Sequence, residues 1–425
     1  MSYSPKRYRL DSLGALDASL PPDEWIKREF LAFVRGEFAK RPTLELPSSW
    51  PPQIESEASV DLGFLSDLLA QSERTVYSPK FREWGEANDP KSMASAILNF
   101  LCDPAIGSRK NKENNSAETF VASLTPLIES QDRLLFVLPG FPFKDQNRFR
   151  TAVPPGVPDL ADISFMIRLH VLTQAIYQVH PYGADVLVLA DGGMYAPIFG
   201  VDPKASVAYL ERLKSYRNLL NLQGTVSFIN LTDLVDSTPA FDAETSVADE
   251  VTNQLENRLR VLSETDIEIE QAFQILTQGM KWNYNTRTSF AETNDADCWK
   301  LLRYPIEDID ERLAGQWEEL NALAVTAALT YAARNLMLRR LDLIRAFFPD
   351  AIRATVHPKR DQFSLAGSGG AYPWNGSAWS EGEPTSIQDV STKALFDLSN
   401  QGPLELVTFG PDAVPLYLRR SGMNG

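Results

Sequence analysis

The chain has 425 residues and a formal net charge of −15, with 44% hydrophobic and 23% charged residues. These values are ordinary for a globular protein, and the length accommodates one large α/β domain with additions or two domains. A chain this acidic, without a long run of lysine or arginine, is a poor partner for nucleic acid. No run approaches the ~18 apolar residues that span a bilayer, so we expect no membrane partner.

The residues that bind metals and cofactors are sparse. Two cysteines, Cys102 and Cys298, lie far apart without metal-ligand spacing, which favours free thiols in a reducing cytosol. The first residues lack the apolar core of a signal peptide, so we predict a cytoplasmic location. Three histidines are too few for a histidine-rich metal site. The sequence also lacks the fingerprints of dinucleotide-binding, P-loop and α/β-hydrolase proteins, so these classes lose support.

Residues 1–115 are predicted to form an N-terminal helical extension. Prolines are frequent in the first half of this region, and an acidic start predicts a helix at Trp25–Ala39. Helical periodicity indicates two further helices at Asp61–Gln71 and Lys91–Leu101.

Residues 116–235 are predicted to form the α/β core. Three short apolar runs indicate buried strands, namely Leu134–Leu138, Asp185–Ala190 and Thr225–Ile229. A helix opened by Asp159 and a helix at Pro203–Leu222 separate these strands. Alternating strands and helices favour a parallel sheet with right-handed crossovers. We therefore predict an α/β fold with a Rossmann-like parallel sheet core and flanking helices.

Residues 236–425 are predicted to form a helical and smaller C-terminal α+β part that completes the site. The region begins with two helical stretches, Glu250–Lys281 and Arg312–Phe348. It returns to strand character at Ile352–Val356, Leu404–Phe409 and Val414–Leu418. The segment Ala366–Glu383 is rich in Gly, Ser and Trp, and it is either a lid or a surface loop.

A cluster of cations follows the first core strand. Lys144, Arg148 and Arg150 lie within seven residues of each other, and Asn147 adds a neutral hydrogen-bonding group. Cations at the carboxyl end of a strand, close to a helix N-terminus, are typical of a phosphate or carboxylate site. The alternative is a solvated loop with scattered charges.

Two aspartates lie where predicted core elements begin or end. Asp159 either only caps its helix or also faces the crevice as an acid, a base or an amine-binding carboxylate. Asp191 directly follows a strand and precedes Gly192 and Gly193, which allow the backbone to approach a ligand closely. It is either a catalytic or ligand-orienting carboxylate or an ordinary turn residue.

A histidine ends the predicted strand Ile352–Val356. His357 is suited to proton transfer near neutral pH, and Arg353 and Lys359 flank it with positive charge. Trp374 is a candidate aromatic wall. Each of these residues also has a plain structural explanation, as a core or surface side chain.

Several of these segments form an ordered series of motifs. The series comprises Leu138–Lys144, Asn147, Pro158–Ala161, Tyr182–Ala184, Ala190–Gly193, Ile352–Pro358 and Pro373–Asn375. It resembles the isocyanide (isonitrile) synthase family of the pyoverdine and dityrosine biosynthesis type. That family has L-P-x-F-P-x-K, P-D-L-x, Y-x-P-G-A, S-D-G-R, I-R-x-S-I-H-P and P-W-H in this order. The agreement extends over roughly Leu134–Trp379, more than half of the chain.

The resemblance implies an enzyme that condenses an L-amino acid with ribulose 5-phosphate to form an isocyanide in secondary-metabolite biosynthesis. Its reaction class is then a carbon–carbon lyase or transferase without metal or organic cofactor, and downstream biosynthetic enzymes are potential partners. The implied sugar phosphate requires a cationic binding site, and Lys144, Arg148 and Arg150 are the candidates to form it. Imine chemistry requires proton transfer by side chains such as Asp159, Asp191 and His357. An aromatic amino acid requires an apolar slot, for which Trp374 is the candidate.

The chain departs from the family pattern at several positions. Gly193 stands where the family has arginine, Asn375 where it has histidine, Gly140 where it has alanine and Asp145 where it has serine. These departures leave alternatives open: another amino substrate, N-formylation, a phosphosugar reaction without an amino acid, or a non-catalytic small-molecule binding protein.

Overall fold

The computed structural model describes most of the chain. The described residues are 16–37, 53–107, 111, 117–141, 143–144, 157–284, 297, 300–301, 306–356, 363–365, 376–378, 384–387, 389–392 and 402–422. Their helices are α1 (Asp23–Glu37), α2 (Leu62–Arg74), α3 (Pro79–Trp84), α4 (Pro90–Cys102), α5 (Ala117–Glu129), α6 (Leu160–Val179), α7 (Gly192–Tyr195), α8 (Pro203–Leu219), α9 (Leu231–Asp236), α10 (Val247–Thr265), α11 (Ile267–Tyr284), α12 (Glu311–Arg340) and α13 (Leu343–Phe347). Their strands are β1 (Ile54–Val60), β2 (Leu134–Gly140), β3 (Ala184–Ala190), β4 (Val226–Asn230), β5 (Ile352–Thr355), β6 (Phe363–Ser364), β7 (Ser377–Ala378), β8 (Ser391–Thr392), β9 (Leu404–Phe409) and β10 (Val414–Arg420).

A parallel five-stranded sheet forms the centre of the fold, which confirms the predicted α/β class. Its strand order is β4-β3-β2-β5-β6, and each neighbouring pair is parallel. The chain moves outward from β2 to β4 and then returns to the other side of β2 with β5. In open α/β sheets, ligands bind beyond the carboxyl ends of the strands at such a reversal. The reversal lies between β2 and β5, so the topology places the candidate site beyond the carboxyl end of β2, which β3 and β5 flank on its two sides.

Two core layers cover the two faces of this sheet. Alternate residues of a strand point to opposite faces, and Val137 and Leu187 pack towards α1, α10, α11 and α12. Phe136 and Val186 pack towards α4, α5, α6 and α8. β2 and β3 are buried on both faces, which explains why their sequences are continuous apolar runs.

Two predicted long helices are each interrupted. The predicted helix Glu250–Lys281 is instead α10 and α11, separated by Asp266. The Asp266 carboxylate accepts hydrogen bonds from the backbone N–H groups of Glu268 and Ile269, so it caps a new helix rather than continuing the old one. The predicted helix Arg312–Phe348 is likewise α12 and α13, because Asp342 adopts a left-handed conformation with φ of 42° between them.

Two small sheets complete the described fold. β1 pairs in parallel with β9, and β10 pairs with β9 in the antiparallel sense, so the N-terminal region shares a sheet with the C-terminal strands. β7 and β8 form a separate antiparallel pair. Among the helices of the described ranges, none combines the length and the apolar character needed to cross a membrane.

Candidate active site

Two turns leave the sheet side by side at the carboxyl ends of β2 and β3. Gly140 pairs with Ala190, so Phe141 and Asp191 both follow the last paired position. Phe141 has φ of 58°, which is unfavourable for a bulky side chain. Its buried ring packs against Phe165 and Phe228, with centroids 5.2 and 5.9 Å away. These contacts hold the turn that directs the chain towards Lys144.

Lys144 lies in a fully buried ionic cluster. Its Nζ is 2.8 Å from Asp159 Oδ1 and 2.6 Å from Asp162 Oδ2, and the three side chains have no exposed surface. The Tyr209 hydroxyl, on α8, donates to Asp162 Oδ1 over 2.6 Å. We call Lys144, Asp159, Asp162 and Tyr209 the buried cluster.

The N-terminus of α6 positions the two carboxylates. Asp159 caps the helix as predicted, because its side chain accepts a hydrogen bond from the Ala161 N–H over 2.9 Å. Asp162 returns the interaction by accepting from the Asp159 N–H over 2.9 Å. This reciprocal capping box orients both side chains, and the positive end of the helix dipole favours their ionised forms.

The buried cluster shifts the titration of its members. Burial raises the pKa of Asp162 to about 6, and the nearby Asp159 carboxylate adds to the rise while Lys144 opposes it. Burial would lower the pKa of Lys144, but the two carboxylates outweigh it and raise the pKa of the ammonium. Burial and the Asp162 carboxylate raise the pKa of the Tyr209 phenol well above its usual range. Asp162 can therefore exchange a proton near neutral pH while Lys144 stays charged.

Asp191 lies close enough to the buried cluster to act on it electrostatically. Its carboxylate is one of the charges that raise the pKa of Tyr209. The residue is half-buried, and its carbonyl oxygen accepts the N–H groups of Met194 and Tyr195 as α7 begins. Two side chains of α12 support this turn: Arg334 donates to the Met194 carbonyl, and Tyr331 packs against Tyr195.

Thr232 occupies the space beside Gly193. A Cβ atom on Gly193 would lie 2.5 Å from Thr232 Oγ1 and 3.4 Å from Thr232 Cβ. The first distance is far below van der Waals contact. A side chain at position 193 therefore requires the Thr232 side chain to move, and the glycine and the threonine form a matched pair.

We expect Gly193→Ala to lower the free energy of unfolding by about 1–3 kcal/mol, the usual cost of overpacking. In a Thr232→Ala background, where Oγ1 is gone, the same change should cost less than about 1 kcal/mol. Urea denaturation measures both values. Gly224→Ala is the control, since a Cβ there meets nothing within 4 Å. Equal losses in the two backgrounds would contradict the pairing.

The pKa of Asp162 predicts a specific pH dependence of stability. The folded pKa of about 6 lies above the ordinary value of 3.8, so the folded state binds more protons between these pH values. The stabilising contribution is thus complete below the lower value and is lost as the pH rises through about 6. The free energy of unfolding is measured at a series of pH values for the wild type and for Asp162→Asn. The difference between the two proteins should show this fall.

Asp266→Asn is the matched control for that measurement. Hydrogen bonding to Lys27 lowers the pKa of Asp266, so its contribution to stability is lost as the pH falls, the opposite direction. If the free energy of unfolding changes with pH in the same way in the wild type and in Asp162→Asn, then Asp162 does not titrate in this range.

Among the predicted site residues, the structure brings Lys144 and Asp159 into contact, and the Asp191 carboxylate acts on the same cluster through its effect on the pKa of Tyr209. Arg353 lies elsewhere: it pairs with Val137, three residues before the end of β2, and its guanidinium is 3.9 Å from Asp342. The remaining predicted site residues lie outside the described residues: Asn147, Arg148, Arg150, His357, Lys359 and Trp374. Asp145 and Asn375, two of the departures from the family pattern, also lie outside them.

Asp162 and Tyr209 are members of the cluster that the sequence did not single out as site residues. The sequence does contain a signal for Asp162: it lies three residues after Asp159, and residues three apart share a helix face. Tyr209 gives no such signal, since its contact with Asp162 spans 47 positions.

A Rossmann-type sheet whose carboxyl rim carries buried ionisable side chains defines an α/β protein with a candidate catalytic crevice. The family model described as pyoverdine/dityrosine biosynthesis protein matches residues 124–393. The chain belongs to this family, which confirms the resemblance seen in the motifs.

Three curated proteins are similar to parts of this chain. Isocyanide synthase xanB of Aspergillus fumigatus is 28% identical over 204 residues, 44% of this chain and 26% of that protein. Spore wall maturation protein DIT1 of Saccharomyces cerevisiae is 28% identical over 194 residues, 43% of this chain and 33% of its own length. L-tyrosine isonitrile synthase of Xenorhabdus nematophila is 26% identical over 133 residues, 29% of this chain and 39% of that enzyme. The matches thus span less than half of each relative.

A solved structure, reported for a bacterial protein, shares the fold. The PvcA protein of Pseudomonas aeruginosa superposes with a TM-score of 0.53 at 18% identity. The superposition covers 71% of this chain and 90% of PvcA. At this identity the similarity establishes the fold alone.

Proposed function

We propose that the protein is an isocyanide synthase that condenses an L-amino acid with ribulose 5-phosphate in secondary-metabolite biosynthesis. Family membership over residues 124–393 supports this, as do relatives named isocyanide synthase and isonitrile synthase. The observation that carries the proposal is the buried cluster beside Asp191 at the carboxyl rim. It provides buried carboxyl groups, one of them with a raised pKa, where an α/β sheet binds its ligands.

Imine formation defines what the rim must do. The amine nitrogen forms a bond to the sugar carbonyl carbon, and the carbonyl oxygen leaves as water after gaining protons. One group must take a proton from nitrogen and another must deliver a proton to the leaving hydroxyl. We assign these roles to Asp191 and His357. Asp159 and Asp162 support Asp191 from within the buried cluster, where burial raises the pKa of Asp162 to about 6.

The phosphate requires cations that solvent can reach. Lys144 is sealed between two carboxylates and has no exposed surface, so we assign it the role of fixing their charge. We assign the phosphate to Arg148 and Arg150. Asn147 and Lys359 are further candidate contacts in this proposal, and Trp374 is its candidate wall for the amino-acid side chain.

The function is tested with uniformly carbon-13-labelled ribulose 5-phosphate and each of the common L-amino acids. Mass spectrometry should detect an amino-acid product that has gained labelled carbon and lost two hydrogens from nitrogen. A labelled formamide would select N-formylation instead. Folded protein that yields no labelled product with any amino acid would refute the proposal.

A binding protein without turnover is the second candidate. The observation that favours it is the position of Thr232, because its Oγ1 lies 2.5 Å from where a Cβ atom of residue 193 would be, and the family pattern carries an arginine at this position. Titration calorimetry with ribulose 5-phosphate and amino acids distinguishes the two functions. Binding heat without product selects the binding protein, and any turnover eliminates it.

A further inference from the structure

A cavity lies at one edge of the central sheet. It has a volume of about 570 Å³ and is bounded by α5, α13 and the first residues of β5 and β6. The described residues of β6 pair with Ala354 and Thr355, so β6 does not extend beside Ile352 and Arg353, which line the cavity. The volume falls in the range of small-molecule sites, about 300–1,000 Å³.

The cavity has an apolar wall and a charged wall. Three phenylalanines contribute to the apolar wall, namely Phe120, Phe348 and Phe363, and the rings of Phe120 and Phe363 have centroids 4.0 Å apart. The described charged lining consists of Asp342, Arg345, Asp350 and Arg353, two of each sign. Equal numbers of positive and negative side chains in the described part of the lining favour a zwitterion over a simple anion.

Arg353 and Asp342 are an incompletely engaged pair. Their closest nitrogen and oxygen atoms are 3.9 Å apart, too far for a hydrogen bond. Among the described residues, Arg353 and Asp342 each form an ion pair with the other. Burial lowers the pKa of Arg353. The negative charge of Asp342 opposes this decrease, and the positive charge of Arg339 adds to the decrease. A partly desolvated guanidinium therefore has donors available for a carboxylate, and the adjacent aspartate has acceptors available for an ammonium group.

We propose that this cavity is a binding site for a free amino acid with an aromatic or bulky apolar side chain. The ligand carboxylate binds Arg353, its ammonium group binds Asp342, and its side chain packs among Phe120, Phe348 and Phe363. The site is distinct from the reaction rim. Arg353 pairs with Val137, and Gly140 lies three residues further along β2, about 10 Å away at the rise of a strand.

The site is tested by calorimetric titration of the whole protein with L-phenylalanine, without sugar phosphate. Arg353→Gln and Asp342→Asn should each weaken this binding about tenfold or more, the scale of a charged hydrogen bond. Asparagine tolerates the left-handed conformation of position 342, so the second variant should keep the fold. 3-Phenylpropionate lacks the ammonium group and 2-phenylethylamine lacks the carboxylate, so both should bind about tenfold more weakly or worse.

Matched variants separate the cavity from other sites. Arg133→Gln removes an arginine that directly precedes β2 and is paired with Asp185 over 2.8 Å, and it should leave binding unchanged. Ser123→Phe fills the cavity from the exposed face of α5 and should abolish binding. Asp191→Asn tests the rim. No binding heat, equal affinity in both cavity variants, or loss only in Asp191→Asn would overturn the proposal, whether or not the rim makes an isocyanide.

Discussion

Lys144→Ala is expected to lower the free energy of unfolding by about 3–5 kcal/mol, the cost of leaving buried charges without a partner. The substitution removes the ammonium group that lies 2.8 and 2.6 Å from two carboxylates with no exposed surface. The helix dipole and the capping N–H groups offset only part of this loss. Urea denaturation near neutral pH measures the effect.

Lys27→Ala is the matched control. The Lys27 ammonium also contacts two carboxylates, 2.7 Å from Asp266 and 2.6 Å from Glu268, but its side chain is one third exposed. Water and salt screen such a pair, so its loss should cost much less stability than the loss of Lys144. Adding Asp162→Asn to Lys144→Ala should recover part of the stability, because it removes one uncompensated charge. Similar losses at Lys27 and Lys144 would show that burial of the cluster has little energetic consequence.

Asp191→Asn is expected to reduce isocyanide formation by about 10²–10⁴-fold, the usual contribution of a general acid or base. Asparagine has nearly the same shape, so the turn that begins α7 and the melting temperature should be preserved. The loss should appear in kcat, since the amide removes proton transfer and keeps hydrogen bonding. Steady-state rates with the amino acid identified by the labelling experiment measure it.

Asp202→Asn is the control for Asp191. Asp202 caps α8 by accepting the Lys204 N–H over 2.9 Å, and asparagine is an equally good cap. Its rate and stability should both match the wild type. If Asp191→Asn retains its rate, Asp191 has no role in the proton transfers of the reaction.

Local patterns predicted those parts of the fold that depend on neighbouring residues. The apolar run at Leu134–Leu138 became β2, and Asp159 caps α6 as its position before the helix indicates. The strand at Leu404–Phe409 has the predicted bounds. In each case, burial or capping follows from a few adjacent side chains.

Tertiary contacts determined what the sequence left out. At Asp266, capping a new helix competes with continuing the old one. A tertiary contact from Lys27 on α1 stabilises the capped arrangement. Lys144 is buried because it packs against α6 and α8, which are distant in the chain. The sequence shows only its charge, and the charge alone indicated a solvent-facing anion site. The position of Arg353 depends on β5 pairing beside β2, a register that nothing in the strand itself specifies.

The pairing of β1 with β9 has a consequence for synthesis on the ribosome. Thr408 donates to the Ala58 carbonyl across 350 positions. At ~5–20 residues per second, β1 emerges roughly 20–70 s before its partner strand exists. Throughout this interval its backbone is open to pairing with other nascent chains. The side chains of Glu55 and Glu57, on a strand that stays largely exposed, supply charge that discourages such aggregation until the C-terminal strands arrive.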